Sequence, residues 1–366
     1  MSRVARRALV STLRLTPQAV PPTLAGAGVP GVMASHPSAA LRISVVVPTC
    51  RRPLLLRRCL RALFAQTLAP SAVEIIVVDD GRSADTRAVV DDLRASLGPG
   101  GVPRLACIEP LGTRGPAAAR NRGWQSAQGE VIAFTDDDTV PAATWLASGL
   151  RELDAAPQAA ALAGAVVVPL DSAPTDHARN THQLEHADFV TANCFVRRAA
   201  LEAVGGFDER FTRAWREDSD LAFTLREQGL AVISSPRPLV VHPVRPVPWG
   251  HAVRAHANLQ FDALLYKKHP QLYRREVRRR PPWAYYLAVL GFVLVLPLAL
   301  LGYTTAALAA AALWLGPTAA LARRRLRGTS RRWADRSEVL LTSIAIPFAA
   351  VVWRLAGALR WRVLFL

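Results

Sequence analysis

From Pro281 to Ala322 the chain carries no charged side chain. At about 1.5 Å of rise per residue this stretch is roughly 60 Å of helix, enough to cross a hydrocarbon core of about 30 Å twice. A single buried helix of that length is far longer than globular helices run. Pro297 and the segment Gly302-Tyr303-Thr304-Thr305 supply a break in the middle, so a transmembrane helical hairpin over 281–322 is expected. A further apolar stretch, Val339 to Trp353, is short for a span. With the basic loop before it, it fills 323–366, and it reads either as a third crossing with Arg354 snorkelling or as an interfacial helix running into Arg360-Trp361-Arg362.

The net charge of +17 would fit a nucleic-acid partner, but its placement argues against one. Arg274, Arg275, Arg278, Arg279 and Arg280 precede the charge-free stretch, and Arg323, Arg324, Arg325, Arg327, Arg331, Arg332 and Arg336 follow it. Both clusters on one side of a hairpin is the positive-inside pattern. It places the N-terminal domain at the cytoplasmic face of a cell membrane as part of a multi-pass protein, with anionic lipid headgroups as partners of these arginines. The four cysteines show no metal-ligand spacing and are expected to be reduced thiols. Arg almost entirely replaces Lys, which occurs only at Lys267 and Lys268, and with the abundant Ala this suggests a GC-rich bacterial source. Residues 1–40 are Pro-, Ala- and Arg-rich, without a secretory apolar core because Arg14 interrupts Leu9 to Leu15. They are expected to be disordered or dispensable, with Met33 as an alternative start.

Between these ends, 41–248 alternates strand and helix patterns. Ile43 to Val47, Val73 to Val78, Leu105 to Ile108 and Val131 to Phe134 are short apolar or β-branched runs. Helical spacing follows at Leu55, Leu56, Cys59, Leu60, Leu63 and Phe64, then over Thr86 to Leu97 and Pro116 to Ala127. The alternation predicts an α/β, Rossmann-like domain with a mainly parallel sheet and helices on both faces. Later, Ala163 to Val168 and Phe189 to Val196 read as strands and Asp218 to Gln228 as a helix. A helical juxtamembrane connector over 249–280 leads to the hairpin.

Asp136-Asp137-Asp138 stands where the strand ending at Phe134 runs out. In an open α/β sheet the carboxyl ends of strands are where ligands bind. Clustered carboxylates repel one another unless a cation lies between them, so a hard divalent metal suits the triplet; a solvated acidic turn is the other reading.

Several motifs in order resemble the family 2 glycosyltransferases, whose fold is called GT-A. They are Ser44-Val45-Val46-Val47-Pro48-Thr49 with Arg51-Arg52-Pro53, Glu74 to Gly81, Ala119-Arg120-Asn121-Arg122-Gly123, the aspartate triplet, Asn193 through Gly205-Gly206-Phe207-Asp208, Trp215-Arg216-Glu217-Asp218, and His242 after the run Pro238 to Val241. The resemblance covers roughly residues 43–245. It implies a sugar-nucleotide donor, a divalent metal (Mn2+ or Mg2+) and a single displacement with inversion. Pro48, Thr49 and Arg51 or Arg52 would line the nucleotide pocket, with Asp80 on the base and Asp136 and Asp137 close by. For Asp80 a loop carboxylate capping a helix is the competing reading. Arg120 suits either a phosphate or one of the acids. Asp138 leads as metal ligand, with Asp136 and neutral His242 beside it; His242 also reads as a strand-end histidine without a ligand role. Asp218, with Glu217, resembles the family's catalytic base, and an acid at a helix N-terminus is also favoured by the helix dipole alone. Asn193 and Trp215 fall on the acceptor side, although Trp215 is equally suited to a core.

The departures narrow the reading. Arg82 stands where many relatives carry a small polar residue, which leaves nucleotide preference open. Thr329 and Gly357 occupy the Gln position of the Q-x-x-R-W sequence of processive synthases, before Arg332-Trp333 and Arg360-Trp361. Asp137 departs from the D-A-D common in polyprenyl-phosphate sugar synthases. The expected function is a membrane-anchored, non-processive inverting transferase acting on a lipid-linked or cell-envelope glycan acceptor. An inactive GT-A scaffold or nucleotide-sugar-binding membrane partner is the alternative.

Overall fold

The computed structural model describes residues 41–97 and 103–365; the expectations for residues 1–40, including a start at Met33, lie outside them. The domain opens with β1 (Ile43–Thr49), α1 (Pro53–Phe64), β2 (Val73–Asp79), α2 (Ala84–Leu97), β3 (Arg104–Ile108), α3 (Pro116–Ser126) and β4 (Val131–Phe134). β1 pairs in parallel with β2 on one side and β4 on the other, and β2 pairs in parallel with β3. The apolar runs are continuous because both faces of these strands are covered. Val45 and Val47 point into one layer with Leu56, Leu60 and Leu63 of α1 and Val90 and Leu93 of α2. Val46 points into the other, with Ala117, Ala119 and Trp124 of α3 and Phe134 of β4.

Past β4 the pattern changes. β5 (Val140–Pro141), α4 (Trp145–Ala155), β6 (Ala159–Val167), α5 (Asp176–Thr181), β7 (Cys194–Arg197), α6 (Arg198–Val204), α7 (Glu217–Glu227) and β8 (Ala231–Val241) follow. The sheet order is β3-β2-β1-β4-β7-β6-β8-β5. β7 is antiparallel to both β4 and β6, β6 and β8 are parallel, and β5 is antiparallel to β8. The sheet is therefore mixed, with four of its seven pairings parallel as the alternation predicts, through β3-β2-β1-β4 and between β6 and β8, and the other three antiparallel. β7 also starts later than the expected Phe189, because Asn193 precedes it in a turn and inserts its side chain into the sheet.

The connector runs through α8 (His251–Ala255), a 3-10 turn over His256–Leu259, and α9 (Gln260–Lys268). The charge-free stretch forms α10 (Trp283–Leu300) and α11 (Thr304–Leu326), turned back on each other at Gly302. At Gly291 a Cβ would lie 2.5 Å from the Ala310 carbonyl oxygen, so the two helices pack backbone to backbone. α12 (Trp333–Trp361) extends well beyond the apolar run that predicted it. All three helices are long and apolar enough to cross a membrane.

Candidate active site

The carboxyl ends of β1, β2 and β4 gather the acids. Asp136 and Asp138 follow β4, and His242 follows β8; their ligand atoms lie within 4.8 Å of one another. The backbone N–H of His242 donates to the Val167 carbonyl at 2.8 Å, which fixes the residue at the strand end. Its Nε2 is 3.5 Å from Asp138 Oδ1, and its buried Nδ1 has no partner among the described residues. Two carboxylates and an imidazole with an unused ring nitrogen fit a hard or borderline divalent ion.

Each aspartate of the triplet has its own cationic neighbour. Arg245 Nε lies 2.7 Å from Asp138 Oδ2. Arg120 NH2 lies 2.8 Å from Asp136 Oδ1. Asp137 points elsewhere, accepting from the Thr49 hydroxyl at 2.7 Å and from Arg52 NH1 at 3.1 Å. Burial raises the Asp137 pKa, with Arg52 and Thr49 opposing that rise. Asp137 thus closes the floor between β1 and β4 and stays out of the metal set, with the Thr49 hydroxyl committed to it.

Arg120 joins Asp136 to the second acidic pair. Its guanidinium is buried, with NH1 2.9 Å from Glu217 Oε1 while NH2 holds Asp136. Burial alone would lower its pKa, but Asp136 and Glu217 outweigh burial and hold the charge. Glu217 opens α7 and is buried, and burial pushes its pKa up to about 7 against the pull of Arg120. Asp218 is half-buried and accepts from the Ser219 backbone N–H at 2.6 Å. Burial raises its pKa also, in spite of the Ser219 bond.

The loop before α7 is held from the connector. Asp262 of α9 accepts from the Trp215 indole at 2.9 Å, from Arg216 Nε at 2.8 Å and from the Tyr273 hydroxyl at 3.0 Å. Arg216 adopts φ 76°, a left-handed conformation that costs a non-glycine residue about 1 kcal/mol or more, and the Asp262 contacts offset it. Trp215 keeps 37% of its surface exposed, so its indole edge is anchored while part of the ring stays accessible.

The remaining expected residues divide. Asp80 is half-buried, with both oxygens 3.2 Å from the Gly115 backbone N–H at the start of α3. The cap for the turn after β2 is Asp79, which accepts from Gly81 and Ser83. Arg51 is exposed beside that turn at φ 54°, next to half-buried Pro48 and buried Thr49. Asn193 is not brought to the acids. It is fully buried, accepts from the Trp145 indole at 2.8 Å, and donates to the Ala165 and Pro238 carbonyls at 2.7 and 2.9 Å. That is a sheet brace with no free group to offer an acceptor. Arg245 and Asp262 escaped the sequence reading. The first sits in a proline-rich loop without periodicity and the second on an amphipathic helix where an acid looks ordinary; only three-dimensional placement reveals them.

The family model described as Glycosyl transferase family 2 matches residues 44–211. Glycosyltransferase AglE of Haloferax volcanii is 24% identical over 56% of this chain and 67% of its own length. The GalNAc(5)-diNAcBac-PP-undecaprenol beta-1,3-glucosyltransferase of Campylobacter jejuni is 34% identical over 26% of this chain and 29% of its own. The chain spans 54% and 42% of the length of two further curated relatives. Among solved structures, the mannosyltransferase PcManGT of Pyrobaculum calidifontis, in complex with GDP-Man and Mn2+, superposes with a TM-score of 0.54 at 24% identity, over 87% of this chain and 90% of that one. That likeness establishes a GT-A-like fold, and within it residues 44–211 form a domain that matches the family 2 glycosyltransferases.

Proposed function

We propose that the chain is a membrane-anchored, inverting, non-processive glycosyltransferase. It moves one sugar from a nucleotide sugar to a lipid-linked or envelope acceptor at the cytoplasmic face. The observation that carries this reading is Arg120, whose two terminal nitrogens bind one acid of the metal-type cluster and one acid of the Glu217-Asp218 pair. A charge-binding site and a proton-accepting site are thereby held side by side, as one displacement at an anomeric carbon requires.

Asp136, Asp138 and His242 would hold the divalent ion, which when bound supplies Lewis-acid stabilisation of the departing diphosphate. Asp218 takes the proton from the acceptor hydroxyl as its oxygen attacks the anomeric carbon. The bond from that carbon to the diphosphate oxygen breaks on the opposite face, which gives inversion. Glu217 does not face the acceptor in this scheme; bound to Arg120, it positions the start of α7. Arg245 is half-exposed beside Asp138, within reach of an incoming diphosphate, a role suited to a guanidinium. Arg51, Arg52 and Asp80 border the nucleotide end.

The uncovered apolar surfaces of α10 and α11 support the membrane assignment. Anchoring raises the local concentration of an acceptor confined to the same bilayer. An undecaprenol-linked acceptor is printed in the name of the Campylobacter jejuni relative and suits such a tether. The test is release of nucleoside diphosphate by the detergent-purified chain across UDP-, GDP- and dTDP-sugars, with Mn2+, Mg2+ or EDTA, in the presence of membrane lipid extract. Release from one donor that EDTA abolishes is the expected result. No release from any of these donors would overturn the reading.

A further inference from the structure

The geometry points to α12 as a helix that lies in the plane of the membrane surface, so that the C-terminus stays on the side of the catalytic domain and only α10 and α11 cross. This rests on the membrane reading proposed above. Length and composition alone would make α12 a third span, since its 29 residues reach about 43 Å. Its contacts say otherwise.

Both ends of α12 are fastened to the same folded domain. At the start, Glu338 accepts from the backbone N–H of Gly250, where α8 begins, at 2.8 Å. Close by, Arg325 bridges Asp176 of α5 at 2.8 Å to the Thr342 and Ser343 hydroxyls, each at 2.9 Å. At the far end, Gly357 approaches α9 so closely that a Cβ would lie 2.7 Å from the Gln260 backbone. Arg360 donates to the Gln260 side chain at 2.7 Å, and the Trp361 indole donates to the Gln260 carbonyl at 3.0 Å. Lys267 then donates to the Trp361 carbonyl at 2.8 Å. Phe365, just beyond, is fully buried in a cluster with Phe211, Phe223 and Tyr273 of the catalytic domain and connector. A helix crossing a ~30 Å core has its ends in opposite aqueous phases. Here the same polar domain binds both.

The two faces of α12 agree with this placement. Val339, Thr342, Ile346, Ala350, Arg354 and Gly357 are buried. Arg354 does not snorkel: it is 1% exposed, with its guanidinium 4.1 Å over the Phe365 ring. The opposite face leaves Leu341, Ile344, Val352, Leu355 and Leu359 uncovered at helical spacing. That apolar stripe is continuous with the hairpin through the Phe348–Phe292 contact at 5.0 Å. The end of α11, the loop after it and the first turn of α12 expose Arg323, Arg324, Arg327, Arg331, Arg332 and Arg336. An apolar stripe bordered by exposed guanidinium groups fits the boundary between acyl chains and anionic headgroups.

Two measurements on the full chain in native membranes test it. Topology reporters are placed after Leu366, at Gly302 and at the N-terminus, with carbonate extraction as control. The chain is expected to stay in the carbonate pellet, with the Leu366 reporter on the N-terminal side and the Gly302 reporter opposite. A Leu366 reporter on the Gly302 side overturns the in-plane helix while leaving the membrane reading intact. Release by carbonate, or a Gly302 reporter on the N-terminal side, overturns both. Lipids with a photoactivatable acyl chain should then label α12 at Leu341, Val352, Leu355 and Leu359 but not at Val339, Ile346 or Ala350. Labelling confined to α10 and α11 overturns the lipid contact.

Discussion

Two acidic clusters share one arginine, yet their surroundings differ. Around Asp136, Asp137 and Asp138 each carboxylate has its own cation: Arg120, Arg52 and Arg245 respectively. Around Glu217 and Asp218 the chain offers one guanidinium to Glu217 and backbone and hydroxyl donors to Asp218, while burial drives both pKa values upward. At Asp136 and Asp138 the first arrangement offsets the repulsion between carboxylates and suits the binding of a cation and a diphosphate. The second disfavours the ionised form of its carboxylates and suits the transfer of a proton. Opposite chemistry thus arises from the same residue type a few side chains apart, through the count of cations.

The sharpest way to break this comparison is Asp218→Asn. If the pair transfers the proton, kcat falls by roughly 10²–10⁴-fold while the affinity for nucleotide sugar is unchanged. Steady-state product release and calorimetric donor binding separate the two quantities. Equal loss of donor binding would show that Asp218 belongs to the charge-binding cluster instead. Asp138→Ala should do the converse. We expect turnover to fall on the order of 10²-fold, with the metal concentration for half-activity raised and donor affinity weakened in Mn2+ titrations.

The pH profile sharpens the contrast further. Asp218 must be ionised to accept a proton, and burial raises its pKa above the ordinary carboxylate value, so kcat/KM should rise with pH through a limb displaced upward from that of a free aspartate. Glu217→Gln removes the carboxylate that holds Arg120 and frees that guanidinium to favour ionised Asp218. The rising limb should move to lower pH, while an unmoved limb would show that the pair is not coupled. Stability should respond in the matching sense. Glu217 is easier to protonate folded than unfolded, so its contribution is fully present below about 4.5 and is lost as pH rises towards about 7. Thermal melts of the wild type should lose stability across that window, and Glu217→Gln should flatten the loss.

Much of this was legible in the sequence. The runs Ile43 to Val47, Val73 to Val78 and Val131 to Phe134 announced the parallel half of the sheet, because strands covered on both faces leave unbroken apolar segments. The acids at their ends followed from where such strands stop. Illegible were the features that depend on long-range packing. The strand Ala159 to Val167 was legible only from Ala163 on, because its first residues are small and do not alternate, and its neighbour β7 is antiparallel, which no local pattern encodes. Asn193 sits in a motif that resembles an acceptor segment, yet its amide is used up bracing Trp145, Ala165 and Pro238. The apolar run of α12 gave its existence but not its orientation, because Gly250 and Gln260, which hold its ends, lie far back in the chain.

The smallest expected effect concerns Arg245, whose guanidinium sits on Asp138 where a divalent ion would be coordinated. A half-exposed arginine competes weakly, because solvent screens most of an exposed ion pair, worth about 0–1 kcal/mol. Removing that competitor in Arg245→Ala should lower the metal concentration for half-saturation by roughly two- to fivefold, which is what that energy amounts to. Donor KM should move the other way, because the same side chain would be lost from the diphosphate. Opposite shifts in metal and donor affinity from one substitution would show that Arg245 exchanges Asp138 for the donor as the site fills. Parallel shifts would show that it only orders the loop after His242.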